Sequence, residues 1–245
     1  MDELSVRLTN SRIGCHINDT CVNHIIYADD SVLLSPSPAG LQKLLDICNI
    51  YAENHDITYN IKKSICMCLK PSNVKRMHVP TMNLNGKPLK LVQSYKYLGV
   101  IINENFTDDK DVERQLRCLY ARGNSLIRNL KNCSNDVKAL LFKTYCTVLY
   151  CSSLWCYFKV STMSKLRVAY KQTFKYLFGI NFKESITANM LIAKCNPMEV
   201  ILRKSADGLR NRLMSAENGL VRAITLSDFI HTSGISRQWN KMIFK

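Results

Sequence analysis

Two adjacent carboxylates, Asp29 and Asp30, stand between two β-prone runs at 21–27 and 31–34. Ala28 and the acids themselves tolerate a turn, so the pattern predicts a hairpin with both carboxylates at its tip. Anions held this close repel and raise each other's pKa, a cost that a divalent cation removes. Mg²⁺ takes oxygen ligands, usually one or two carboxylates with phosphate and water, and paired Mg²⁺ ions stabilise the attacking and leaving oxygens of phosphoryl transfer. Taken alone, an Asp-Asp pair is more commonly an ordinary exposed turn with two solvated carboxylates.

The elements needed to position such a tip are legible around it. Ser37 can cap a helix with Pro38 in its first turn, and Leu41, Leu44, Leu45, Cys48 and Tyr51 then share one face that can cover a sheet. Further strands are expected at 65–69, at 82–84 turning on Asn85-Gly86, and at 97–102. From Asp111 the apolar period becomes helical through Val112, Leu116, Leu119, Gly123, Leu126 and Leu130. Helices are expected to follow at about 135–158, 165–178, 186–195 and 198–215, opened by Ser134, Ser164 and Pro197. The fold class is therefore α+β, with a mixed domain over 1–105 and an all-helical one over 106–245.

Composition narrows the function classes. The 245 residues carry 34 Lys+Arg against 19 Asp+Glu, a net charge of +15. The balance is −3 over residues 1–30 (2 basic, 5 acidic), +6 over 31–130 (14 and 8) and +12 over 131–245 (18 and 6). A surplus spread over the helical half suits a polyanion or simply a solvated surface. Within it Arg167, Lys171 and Lys175 recur every four residues beside Tyr170, Phe174 and Phe178. A basic stripe of this kind can track phosphates, while the aromatics pack inward, the commoner fate, or stack bases. Eleven Cys without Cys-x-x-Cys point to free thiols in a reducing, intracellular setting. No run is apolar enough for a membrane span, the five His lack metal-ligand spacing with Cys, and there is neither a P-loop nor G-x-G-x-x-G.

The run Ile25-Ile26-Tyr27-Ala28-Asp29-Asp30-Ser31-Val32-Leu33-Leu34, with Asn23-His24 before it, resembles the Tyr-x-Asp-Asp hairpin of reverse transcriptases of non-LTR (LINE-type) retrotransposons. In the same order, Asn60-Ile61-Lys62-Lys63-Ser64 resembles that family's Asn-x-x-Lys-Ser segment, and Tyr97-Leu98-Gly99-Val100 its primer-grip hairpin. Leu149-Tyr150, Leu154-Trp155 and Leu177-Phe178-Gly179-Ile180 echo its thumb more weakly, with Cys151 where Gly is usual. The resemblance implies a palm portion followed by a helical thumb and extension. Asp29 and Asp30 become metal ligands, Tyr27 lies beneath the primer end, and Lys63 approaches the triphosphate. Leu98 and Gly99 hold the primer terminus. RNA template, DNA primer, dNTP and Mg²⁺ are the implied partners. Nuclear residence suits such an enzyme, although no compact basic signal supports it. By the residues alone, Lys63 reads as a surface cation and Leu98 as a core side chain.

The family's chemistry needs another Asp upstream of the hairpin, and only Asp2 and Asp19 precede Tyr27. Neither fits, since Asp2 is the second residue and Asp19 falls in a turn. The expectation is a portion of a reverse transcriptase, lacking fingers and one catalytic Asp and inactive by itself. A non-catalytic basic nucleic-acid binder and a retroelement remnant without selected function are the alternatives.

Overall fold

The structure is a computed structural model that describes residues 2–70, 78–130, 132–181 and 183–243. In chain order the elements are α1 (Asp2–Asn10), β1 (Cys15–Ile17), β2 (Thr20–Val22), β3 (His24–Tyr27), β4 (Asp30–Leu33), α2 (Pro38–Asn54) and β5 (Ile65–Cys66). Next come β6 (Asn83–Leu84), β7 (Lys87–Pro88), β8 (Lys90–Leu91), β9 (Ser94–Tyr97) and β10 (Val100–Asn103). The helices α3 (Asp109–Leu130), α4 (Asn135–Tyr145), α5 (Val160–Phe178), α6 (Ile186–Ile192) and α7 (Met198–Met214) follow. The chain closes with α8 (Gly219–Leu226), α9 (Asp228–Thr232) and α10 (Gly234–Ile243). The α+β class holds.

Two compact units form. The first comprises residues 1–95, 103–106 and 216–229, and the second 96–102, 107–215 and 230–245.

In the first unit α2 forms as its sequence predicts: Ser37 Oγ accepts from the Gly40 amide at 3.1 Å, with Pro38 in the first turn. Its buried Leu44, Cys48 and Tyr51 pack with Leu4 and Leu8 of α1, while Leu45 meets Cys66, Met82, Leu84 and Leu89. The predicted strand 21–27 is split at Asn23, which is 2% exposed. Its Nδ2 donates to the carbonyls of Leu8 (2.6 Å) and Ile13 (2.8 Å), so the side chain closes the end of α1 and the strand breaks there. The strand expected over 65–69 shortens to two residues, pairing in parallel with β8. Among the described residues the strands make five two-stranded sheets rather than one palm-like sheet. Runs of two to four residues pair only with one neighbour each.

In the second unit α3 and α5 cross closely at Gly123, where a Cβ would run into Thr173 Cγ2. The core gathers Val112, Leu119, Phe142, Trp155, Leu166, Tyr170 and Phe174, each at most 2% exposed. The helix predicted over 135–158 ends at Tyr145. Thr144 and Thr147 return their hydroxyls to the carbonyls of Leu140 and Lys143, Cys151 turns left-handed (φ +58°), and a 3-10 turn at Ser152–Leu154 leads into Trp155. The next helix opens at Val160 rather than Ser164. Its cap comes from far away in sequence, since Asp109 Oδ1 accepts from the Lys159 amide at 2.9 Å.

Candidate functional site

The 29–30 acids occupy the predicted tip. Strands β3 and β4 pair antiparallel with His24 opposite Leu33 and Tyr27 opposite Asp30, leaving Ala28-Asp29 as the turn. Ala28 takes φ +53°, a left-handed conformation that costs an L-residue about 1–2 kcal/mol. Tyr27 is 63% exposed, and both carboxylates are exposed. Among the described residues neither acid pairs with a cation, and no group of three or more His, Cys, Asp or Glu forms. The hairpin's base is fixed by polar bonds: His24 Nδ1 lies 2.7 Å from Asn23 Oδ1, and His24 Nε2 lies 2.7 Å from Ser5 Oγ. Burial holds the His24 imidazole below its usual pKa. Asn23 and His24 therefore build the hairpin's foundation, a role that their place beside the motif did not disclose.

Lys63 lies on an exposed turn of the same unit. Asn60 makes that turn, its carbonyl accepting from the amides of Lys63 and Ser64 at 3.0 Å each and its Oδ1 from the Lys63 amide at 3.2 Å. Ile61 packs beneath against the core, so the Asn-x-x-Lys-Ser spacing yields a side-chain-locked turn that presents Lys63 to solvent.

Leu98 and Gly99 form the turn between β9 and β10, with φ +44° and +85°. This tip, 96–102, belongs to the helical unit. The Tyr150 hydroxyl donates to the Leu98 carbonyl at 3.0 Å, and its ring lies where a Cβ on Gly99 would sit, 2.9 Å from Cε1. Asp111, fully buried, accepts from the Ile101 amide (3.0 Å) and Arg114 Nε (2.7 Å) at Oδ1 and from the Trp155 indole (2.9 Å) at Oδ2. Asp108 Oδ2 accepts from the amides of Cys156 and Tyr157 at 2.7 Å each; burial, the larger influence, still raises its pKa. Sequence reasoning missed Asp108, Asp111 and Tyr150. The signal within reach was the acidic cluster 108–111 entering a helix, far in sequence from its partners. Leu98 itself is 40% exposed, which overturns its reading as a core side chain.

The stripe on α5 is largely engaged within the molecule. Arg167 Nε lies 3.2 Å from Glu199 Oε1, and Lys175 Nζ donates to the carbonyls of Glu184 (3.1 Å) and Asn181 (3.4 Å). Lys171 stands exposed. Tyr170, Phe174 and Phe178 turn inward as expected, with Phe142 meeting the rings of Tyr170 and Phe174 at 5.2 Å and Phe178 stacking on Phe174 at 4.4 Å.

The chain is 26% identical over 165 residues to the RNA-directed DNA polymerase from mobile element jockey of Drosophila melanogaster, a match covering 62% of this chain and 18% of that protein. This chain resembles a mobile-element polymerase. It spans less than a fifth of the length of that relative. No family model and no solved structure matches it. Among the described residues no helix is long and apolar enough to cross a membrane.

Proposed function

We propose that the chain is a portion of the reverse transcriptase of a non-LTR retrotransposon, with the later palm over 1–105 and the thumb and its extension over 106–245. The observation that carries this reading is the β3–β4 tip, where Asp29 and Asp30, without an ion-pair partner among the described residues, stand exposed beside Tyr27 on a left-handed Ala28. Strained backbone concentrates where geometry serves chemistry. The similarity to the jockey polymerase supports the same reading.

The donor set fits Mg²⁺ in kind: two oxygen-bearing side chains, exposed and without a cationic partner among the described residues. Asp29 and Asp30 would hold the ion, which when bound stabilises the attacking and leaving oxygens of nucleotidyl transfer. Tyr27, exposed on the strand leading to the turn, offers an apolar platform for the primer end. Lys63 offers a positive charge to a triphosphate from its Asn60-locked turn, the neutralisation that phosphoryl transfer needs. Leu98 and Gly99 hold the primer terminus, and Lys171 with the basic surface of the helical unit meets the phosphates of an RNA–DNA duplex.

Two carboxylates are fewer than a two-metal site uses. Asp2 begins α1 and Asp19 lies between β1 and β2, so neither supplies the third, and the chain alone is expected not to extend a primer. The test is primer extension on an RNA template with Mg²⁺ by the chain alone and by the chain fused behind the fingers and first palm strands of a reverse transcriptase. Extension is expected from the fusion and is lost with Asp29→Asn. A fusion that extends equally well with Asp29→Asn refutes the assignment.

The basic excess after residue 130 favours a second reading, a duplex binder without catalysis. It predicts salt-sensitive duplex affinity that Lys171→Ala reduces and Asp29→Asn leaves unchanged.

A further inference from the structure

We propose that Tyr150 and Asp111 are positioning residues that lock the 97–100 turn to the helical unit, so that Leu98 meets the 3′ end of a primer strand as a rigid apolar ledge. This rests on the reverse-transcriptase reading above. The observations behind it lie within one unit.

The turn is built against its own sequence. Three other two-residue hairpins put Asn18 (φ +51°), Ala28 (φ +53°) and Asn85 (φ +50°) at the same left-handed position, two of them the residue type that accepts it readily and the third a small one. At β9–β10 the first of the two positions is Leu98, a branched apolar residue that the left-handed region disfavours. Burial of the leucine does not compensate, because Leu98 is 40% exposed. The conformation is held from outside instead. Tyr150 fastens the Leu98 carbonyl through its hydroxyl and covers Gly99 with its ring. Asp111 fastens the next strand through the Ile101 amide.

Both anchors are themselves tied down. Gln115, 1% exposed, donates from Nε2 to the Tyr150 carbonyl at 2.9 Å, and Asp111 is pinned by Trp155 and Arg114. The structure thus spends two fixed side chains on keeping a strained apolar tip out in solvent. A strand end, with its apolar sugar and base faces, is the ligand class that such a ledge suits. Backbone atoms of a stiff turn can fix that end without reading its sequence.

The test uses the full chain, an RNA template–DNA primer duplex with 2-aminopurine at the primer 3′ end, and a second duplex with the probe in the middle. Tyr150→Phe removes only the hydroxyl. Tyr120→Phe, at an exposed tyrosine on α3, serves as control. In the free protein, amide exchange over 98–102 is expected to rise about fivefold with Tyr150→Phe, the factor that one ordinary hydrogen bond represents. On binding, the fluorescence change at the 3′ end is expected to fall to less than half, while the internal probe and the overall affinity stay within about twofold of the unmodified chain. Unchanged exchange overturns the proposal, and so does raised exchange with an intact 3′-end signal. If the unmodified chain binds no duplex, the polymerase reading fails and the proposal with it, an outcome distinct from binding without an end signal.

Discussion

Replacing Asp111 by Ala tests the polar centre of the helical unit. The substitution withdraws one acceptor group from three donors: the Ile101 amide at 3.0 Å, the Trp155 indole at 2.9 Å and Arg114 Nε at 2.7 Å. Trp155 is 1% exposed, so its indole has no water to turn to, and a stranded buried donor costs about 1–3 kcal/mol. Breaking a buried ion pair from one side costs about 3–5 kcal/mol. The Arg114 side chain retains 15% exposure, which favours the lower end of that range. These losses overlap because they share one carboxylate, and a total of about 4 kcal/mol is expected. For a unit of this size that lowers the melting temperature by roughly 10–15 °C. Asp111→Asn keeps the shape and one acceptor oxygen and should lose about half as much. The assay is urea unfolding followed by tryptophan fluorescence, since both tryptophans, Trp155 and Trp239, belong to this unit. Glu113→Ala, at an exposed site on the same helix, should stay within about 0.5 kcal/mol of the unmodified chain. If Asp111→Ala loses less than about 1 kcal/mol, the three bonds do not have the worth assigned to them.

Acid should weaken the first unit through His24. Burial depresses its folded pKa below the usual 6.5, so the unfolded chain takes the proton first. Stability is full above about 6.5 and falls as the pH drops below it, and His24→Gln should flatten that slope in thermal melts taken between about pH 7 and 5. Ala28→Gly should raise stability by about 0.5–1 kcal/mol by relieving the left-handed turn, read as a higher urea midpoint. Gly123→Ala should destabilise despite its better helix propensity, by about 1–3 kcal/mol, because the new methyl meets Thr173; a double variant with Thr173→Ser should recover part of the loss. Among the thiols, exposed Cys15 should react with a disulfide reagent at neutral pH well before Cys48 and Cys146, whose pKa burial pushes up to about 11.

Local chemistry was legible where it acts locally. Ser37-Pro38 announced α2, Asn85-Gly86 its hairpin and Ala28-Asp29 another, since each signal is a side chain acting on backbone within a few residues. The exposed carboxylate tip was readable for the same reason. What escaped reading depends on distant partners. Asp109 caps α5 across 50 residues, Asn23 breaks a strand to close α1, and Asp111 reaches Trp155 across 44. The stripe at 167, 171 and 175 has the correct helical period, yet Glu199 and the carbonyls after α5 engage two of its three cations. Periodicity places residues on a face; it does not disclose what else lies against that face.

The path of the chain between the two units has a mechanical consequence. It crosses the boundary five times, after residues 95, 102, 106, 215 and 229. A fragment ending at 215 would deprive the first unit of α8 and the second of α10, whose Trp239 donates to the Ser153 carbonyl at 2.8 Å. No single cut therefore releases either unit intact. Each unit is completed only by chain that has first passed through the other.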